Sequence, residues 1–192
     1  GSLNGPSLSS SPTVTLSTPA EGSAWLFLGD GWLWEGEDLK HQSGVSVADA
    51  AAWNGRAWMG RGGIDSAGYW YGPYFGTLPV SRSYRVFFRL RSPDRSPIQL
   101  ATLDVSDKAG VNIYASLSLS GDDLPDEGYA EVALDLSYYR RDDSGLEFRT
   151  LFSGASDLVL DRVSVFRSPR PYTGNVEWQL SEGVHFVVPC GS

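Results

Sequence analysis

Glu35 and Glu37 are separated by one glycine and follow the apolar run Trp32-Leu33-Trp34, so the stretch reads as strand. Residues i and i+2 of a strand share a face, which projects the two carboxylates together, about 7 Å apart at the α-carbons. Like charges held that close repel unless protons or a cation compensate. Asp161 lies far along the chain in the run Leu158 to Val165, with the parity of the inward-reading Val163 and Val165. Oxygen ligands gathered from separate strands suit a hard cation, calcium. Two other readings compete. Carboxylates on a solvated strand edge need no ligand, and paired carboxylates about 5–10 Å apart also serve glycosidases. Cleavage, however, requires one protonated and one ionised group on opposite sides of the bond. Same-strand neighbours point in parallel and suit a shared cation better, so an enzyme is not expected.

The second chemistry is aromatic. Trp53, Trp58, Trp70, Tyr71, Tyr74 and Phe75 crowd one glycine-interleaved stretch. The C–H face of a sugar ring stacks on such rings, while its hydroxyls find Asp, Asn, Arg or Gln. Large rings also fill cores, and a sandwich of this size needs them. Tyr69-Trp70-Tyr71-Gly72-Pro73-Tyr74 is too dense for every ring to be buried on an alternating strand. Trp53, Asn54, Trp70, Tyr71 and Tyr74 are the candidate ligand contacts. Arg140-Arg141-Asp142-Asp143 reads as a solvated hairpin tip, with arginines able to pair an acidic sugar.

Short strands must position these groups. Tyr84, Val86, Phe88 and Leu90 alternate with Arg85, Phe87, Arg89 and Arg91. Val111, Ile113, Ala115, Leu117 and Leu119 repeat the pattern, and Leu146–Phe152 and Leu158–Phe166 add two more strands. Turn clusters separate them, among them Pro93-Asp94-Arg95-Ser96-Pro97 and Gly121-Asp122-Asp123. The single helix candidate, Val47 to Trp53, is too short to define a layer. This pattern predicts an all-β sandwich or jelly roll. Residues 1–12 read as a cleavage scar (Gly1-Ser2) and linker, 13–171 as one β-sandwich domain, and 172–192 as an extension able to form a hairpin. The scar implies a piece excised from a longer polypeptide and tethered to other domains there.

The 192 residues carry a formal net charge of −8, which opposes binding to phosphate backbones or anionic membranes. No nucleic-acid partner and no membrane insertion are expected. One cysteine and two unpartnered histidines exclude a disulfide framework and a zinc cluster.

In order, Trp34-Glu35-Gly36-Glu37, Val47-Ala48-Asp49-Ala50-Ala51-Ala52-Trp53-Asn54-Gly55-Arg56-Ala57-Trp58, Trp70-Tyr71-Gly72-Pro73-Tyr74, Leu78-Pro79, the strand Tyr84–Leu90 and Leu160-Asp161-Arg162-Val163 resemble a carbohydrate-binding module of the family 6 and family 35 kind. The resemblance covers roughly residues 30 to 168. It implies a galactose-binding-like jelly roll with a structural calcium held by Glu35, Glu37 and Asp161, with a backbone carbonyl near Asn54 or Arg56. The middle residue of the glutamate motif is usually alanine, and Gly36 departs from it. In these families sugars bind at loops on one end of the sandwich, with a second site possible on the concave face. The expected function is non-catalytic glycan or polysaccharide binding by an extracellular or cell-surface module. The alternative is a structural spacer or protein-interaction module of the same fold.

Overall fold

The computed structural model describes residues 31–80, 82–139 and 145–168, and the backbone of Val176–Gln179 and His185–Val188. The chain divides into two compact units, one spanning Asp30–Ser168 and one containing the C-terminal strands. The first unit is built from β1 (Gly31–Glu35), β2 (Lys40–His41), β3 (Val45–Ala48), β4 (Arg56–Gly60), β5 (Gly68–Tyr71) and β6 (Pro73–Phe75). It continues with β7 (Arg82–Arg91), β8 (Gln99–Asp107), β9 (Asn112–Ser120), β10 (Ala130–Tyr138), β11 (Leu146–Phe152) and β12 (Leu158–Arg167). In the second unit, β13 (Val176–Gln179) and β14 (His185–Val188) pair antiparallel. Residues 13–29, 140–144 and 169–175, on which parts of the domain assignment and the Arg140-Arg141-Asp142-Asp143 reading fall, lie outside the described residues.

Two six-stranded antiparallel sheets form the first unit. Sheet A runs β10-β7-β12-β4-β3 with β1 beside β12, and sheet B runs β2-β5-β11-β8-β9 with β6 beside β11. The predicted all-β sandwich is therefore the architecture found. Its core is where the alternation placed it: Tyr84, Val86, Phe88 and Leu90 of β7 and Val163 and Val165 of β12 are buried with Leu103, Val105, Phe148 and Phe152 of sheet B. Burial of this many large apolar groups drives the sheets together.

Three local expectations fail. Val47 to Trp53 holds no helix: Val45–Ala48 is strand, and the backbone N–H of Ala51 is capped by the Asp49 carboxylate. Asp49 is tied elsewhere too, accepting from Tyr129 Oη at 2.6 Å and Arg91 Nη2 at 2.8 Å, so tertiary bonds override the alanine-rich local preference. Second, β9 does not bury its apolar residues throughout. It ends sheet B, leaving Ile113 and Leu117 exposed while Leu119 reaches the core. Third, the glutamate motif is not all strand. β1 ends at Glu35, and Gly36–Asp38 forms a 3₁₀ turn.

That turn exists because β12 changes partners. Its C-terminal part pairs with β1 from Glu35↔Arg162 to Gly31↔Phe166, while Leu158–Leu160 pairs with β4. At the changeover β12 carries a register irregularity between Leu160 and Arg162 against β7. After β1 the chain leaves sheet A through this turn and enters sheet B at β2.

Candidate functional site

An acidic centre forms at this changeover. Asp161, in the β12 irregularity, is fully buried. Its Oδ1 accepts from the Trp53 backbone N–H at 2.8 Å and its Oδ2 from Arg89 Nη1 at 2.5 Å. Glu37 Oε1 accepts from Asn54 Nδ2 at 2.7 Å, and Asn54 Oδ1 accepts from the Arg56 backbone N–H at 2.9 Å. Glu35 Oε2 and Glu37 Oε2 are buried with no hydrogen-bond partner. Burial, reinforced by the negative charges of Asp161 and then Glu37, pushes the Glu35 carboxyl up to about 7. Orphaned buried carboxylate oxygens in a shared negative field fit a hard cation.

The expected geometry needs correction. Glu35 and Glu37 do not project together from one strand face, because Glu37 sits on the 3₁₀ turn. Asn54 touches Glu37 as a donor through its amide nitrogen, and the Arg56 guanidinium turns to Ser46 Oγ. Among the described residues, no three His, Cys, Asp or Glu side chains converge at metal-ligating spacing. Glu35 and Glu37 hold the free oxygens, while both oxygens of Asp161 already accept hydrogen bonds.

Sequence reasoning missed two cations here. Arg89 bridges Asp161 and the Ala51 carbonyl, and Arg162 donates to Glu131 Oε1 at 2.9 Å while its guanidinium lies 4.8 Å from the Trp53 ring. The available signal was parity: Arg89 alternates with the buried Phe88 and Leu90, so it had to lie on the outer face of sheet A.

The candidate sugar contacts separate into three environments. Trp70 belongs to the core, contrary to expectation. It is fully buried, stacks on Phe152 at 5.3 Å and donates from Nε1 to the Ser43 carbonyl at 3.0 Å. Trp58, half-buried, donates to that same carbonyl at 2.9 Å and stacks on His41 at 3.5 Å. Trp53 is 66% exposed beside Arg162 on the outer side of sheet A.

Tyr71 and Tyr74 come together on the outer side of sheet B. Because Trp70 points inward, its strand neighbours Tyr69 and Tyr71 point out. Tyr74, 40% exposed, meets Tyr71 edge-on with centroids 6.3 Å apart, and Lys40 Nζ lies 4.6 Å from the Tyr74 ring centre. Tyr69 carries the Arg149 guanidinium at 4.8 Å. Arg149 in turn makes a bidentate pair with Asp104 at 2.7 and 2.8 Å. Two aromatic faces at right angles, flanked by an ammonium, present the groups that a sugar's C–H face and hydroxyls need.

No protein-family model matches the chain, and no curated protein matches it. Solved structures do. A carbohydrate-binding module from lichenase 5A of Cellvibrio mixtus, determined with cellotriose, is 14% identical; the match covers 72% of this chain and 98% of that one, with a TM-score of 0.51. The C-terminal family 6 module of a laminarinase from Zobellia galactanivorans is 12% identical, covering 71% and 99%, at 0.47. A family 35 module from Clostridium thermocellum is 16% identical, covering 70% and 97%, at 0.46. The first unit therefore has the fold of a carbohydrate-binding module. More narrowly, its two antiparallel sheets form a β-sandwich like that of the Cellvibrio mixtus module.

Proposed function

We propose that this domain binds a glycan without cleaving it, on the outer face of sheet B, and that calcium stabilises the strand changeover in sheet A. The observation supporting the sugar site is the perpendicular Tyr71–Tyr74 pair with Lys40 against it, continued by Tyr69 along the same strand face. Calcium would be held by Glu35 and Glu37, whose buried oxygens lack partners, with Asp161 joining through its remaining lone pairs and a carbonyl near Asn54 or Arg56. When bound, the ion supplies charge neutralisation. The residues themselves tie the end of β1 to β12 and the 49–55 turn. Such a module acts extracellularly or at a cell surface, tethered to further domains of a longer chain. Among the described residues no helix is long and apolar enough to cross a membrane.

Glycan-array screening followed by calorimetry tests the reading. Tyr71→Ala and Tyr74→Ala should each weaken binding by several-fold to about tenfold, since an aromatic face contact contributes about 0.5–1.5 kcal/mol beyond its area burial. Trp53→Ala should leave it unchanged. Loss with Trp53→Ala alone would move the sugar to sheet A, and no binding on any array would leave the spacer alternative. Calcium should raise the melting temperature, chelation should lower it, and Glu35→Gln with Glu37→Gln should abolish the difference. A melting temperature indifferent to calcium in the parent protein removes the metal.

A further inference from the structure

The turn that joins β3 to β4 carries Asn54-Gly55, and both residues are exposed. Of the chain's four asparagines, Asn112 and Asn175 precede the β-branched Ile113 and Val176. A branched side chain crowds the backbone nitrogen it follows, whereas glycine leaves that nitrogen open. Asn4 also precedes a glycine but lies outside the described residues. Gly55 has φ +83°, and nothing lies within 4 Å of where a β-carbon would stand. Its N–H makes a long bond to the Ala52 carbonyl, at 3.3 Å.

Asn54 is already bent toward that nitrogen. Its Oδ1 accepts from the Arg56 backbone N–H, two residues on, which folds the side chain back over the Asn54–Gly55 peptide. The same bond draws electron density from Cγ. On the other side, Nδ2 donates to Glu37 Oε1 at 2.7 Å. An amide carbon held beside an uncrowded backbone nitrogen is set up for ring closure.

We propose that Asn54 is a site of spontaneous deamidation, and that the carboxylate it yields is set against Glu37 and loosens the strand changeover. The Gly55 nitrogen gives its proton to solvent and bonds to Asn54 Cγ. The Cγ–Nδ2 bond breaks, and that nitrogen leaves as ammonia with a proton returned from solvent. A succinimide ring remains. Water then opens it. Cleavage at Cγ gives an ordinary aspartate, while cleavage at the main-chain carbonyl carbon gives isoaspartate, with the backbone routed through Cβ. The net change is amide plus water to carboxylate plus ammonium, with nothing oxidised or reduced. In the aspartate an oxygen stands where Nδ2 donated, so the tie to Glu37 is lost and two like charges meet. Glu35 Oε2 and Glu37 Oε2, buried without partners, already concentrate negative charge there. One further consequence rests on the calcium reading above: the new carboxylate is an added ligand, and calcium binds more tightly.

Peptide mass mapping of the full chain, aged in warm neutral buffer with chelator, tests the reaction. A second sample unfolded in urea sets the clock, since a flexible Asn-Gly peptide reaches the cyclic geometry freely. Conversion of Asn54 is expected in the folded chain, with isoaspartate detected by its methyltransferase, while Asn112 stays intact. Asn54 unconverted in the folded chain when the unfolded one has reacted overturns the proposal. Asn54→Asp and Asn54→Gln test the consequence, because glutamine stays neutral and must close a larger ring. In chelator, Asn54→Asp should melt about 2–6 °C below Asn54→Gln, and the aged parent should fall below its fresh sample. Equal melting temperatures overturn the proposal as well. Should Asn54→Asp fail to fold, the aged and fresh parent decide. Calcium titration keeps the two readings apart. Asn54→Asp should bind calcium on the order of tenfold more tightly than the parent. A fresh parent that ignores calcium removes the metal and leaves the result in chelator standing.

Discussion

Gly36 packs directly against the backbone of Leu160, so closely that a β-carbon at position 36 would overlap the Leu160 carbonyl oxygen. Families with this glutamate motif usually place alanine between the two acids; this chain has no room for it. The restriction follows from the partner change on β12, where the 36–38 turn is pressed onto the irregularity at Asp161. Gly36→Ala should therefore destabilise the domain by about 1–3 kcal/mol, because the obstruction is backbone and cannot rotate away. Chemical denaturation measures this directly. A loss below about 0.5 kcal/mol would mean that the turn relaxes freely.

Trp70 and Trp53 should behave as opposites. Trp70 is enclosed among Phe152 and the core of both sheets, so Trp70→Ala should cost about 3–5 kcal/mol. Trp53 is largely exposed, and Trp53→Ala should stay within about 0.5 kcal/mol. Equal losses in thermal melts would contradict the assignment of Trp70 to the core.

Much of this contrast was legible in the sequence, and its limits have physical causes. Tyr84 to Leu90 announces a strand because β7 lies in the middle of sheet A, where one face must be wholly apolar. Val111 to Leu119 shows the same alternation, yet its apolar Val111, Ile113 and Leu117 face water, because alternation does not distinguish central strands from edges. Trp70 and Tyr71 are adjacent and chemically alike. Only their opposite parity on β5 separates a core filler from a surface ring, and that parity depends on which neighbour points inward. The pairing of Glu35, Glu37 and Asp161 was visible as residue types in order. The turn that carries Glu37 was not, because it arises from a long-range exchange of strand partners. Arg89, Arg149 and Asp104 escaped notice for a related reason: as members of ion pairs, the last two buried, they resemble any surface charge until the sheets are assembled.

His41 gives the domain a pH response. It is half-buried against Trp58, its Nε2 lies 2.7 Å from the Gly36 carbonyl, and burial holds its ring below the usual histidine range. The folded state thus resists a proton that the unfolded chain accepts. Below the ordinary histidine value of 6.5 the unfolded state binds more protons, so stability falls as pH drops through that value toward the folded one. Urea denaturation between pH 8 and pH 5, run on the parent and on His41→Gln, isolates the effect. The parent should lose stability over the lower part of this range and the variant should lose less. Identical slopes would assign the dependence to other groups.

Asp104 and Arg149 form a bidentate pair on the outer face of sheet B, yet both are buried. What covers them is local. Lys108 and Ala109 adopt left-handed backbone, and Gly110 folds onto the Arg149 guanidinium, leaving no space for a β-carbon. The Ala109 N–H is fixed to Glu147 Oε1 at 3.0 Å, and Tyr69 lies across the guanidinium. Because water is excluded, removing one partner should hurt more than removing both. Arg149→Met leaves Asp104 uncompensated and should cost about 3–5 kcal/mol, whereas Asp104→Leu combined with Arg149→Met should recover most of that loss. The single variant should also weaken glycan binding, since Tyr69 loses the cation that holds its ring, and the double variant should not restore binding along with stability. Denaturation and calorimetry on the same preparations separate the two effects. Recovery of both together would show that Arg149 acts on the tyrosine face only by keeping sheet B folded.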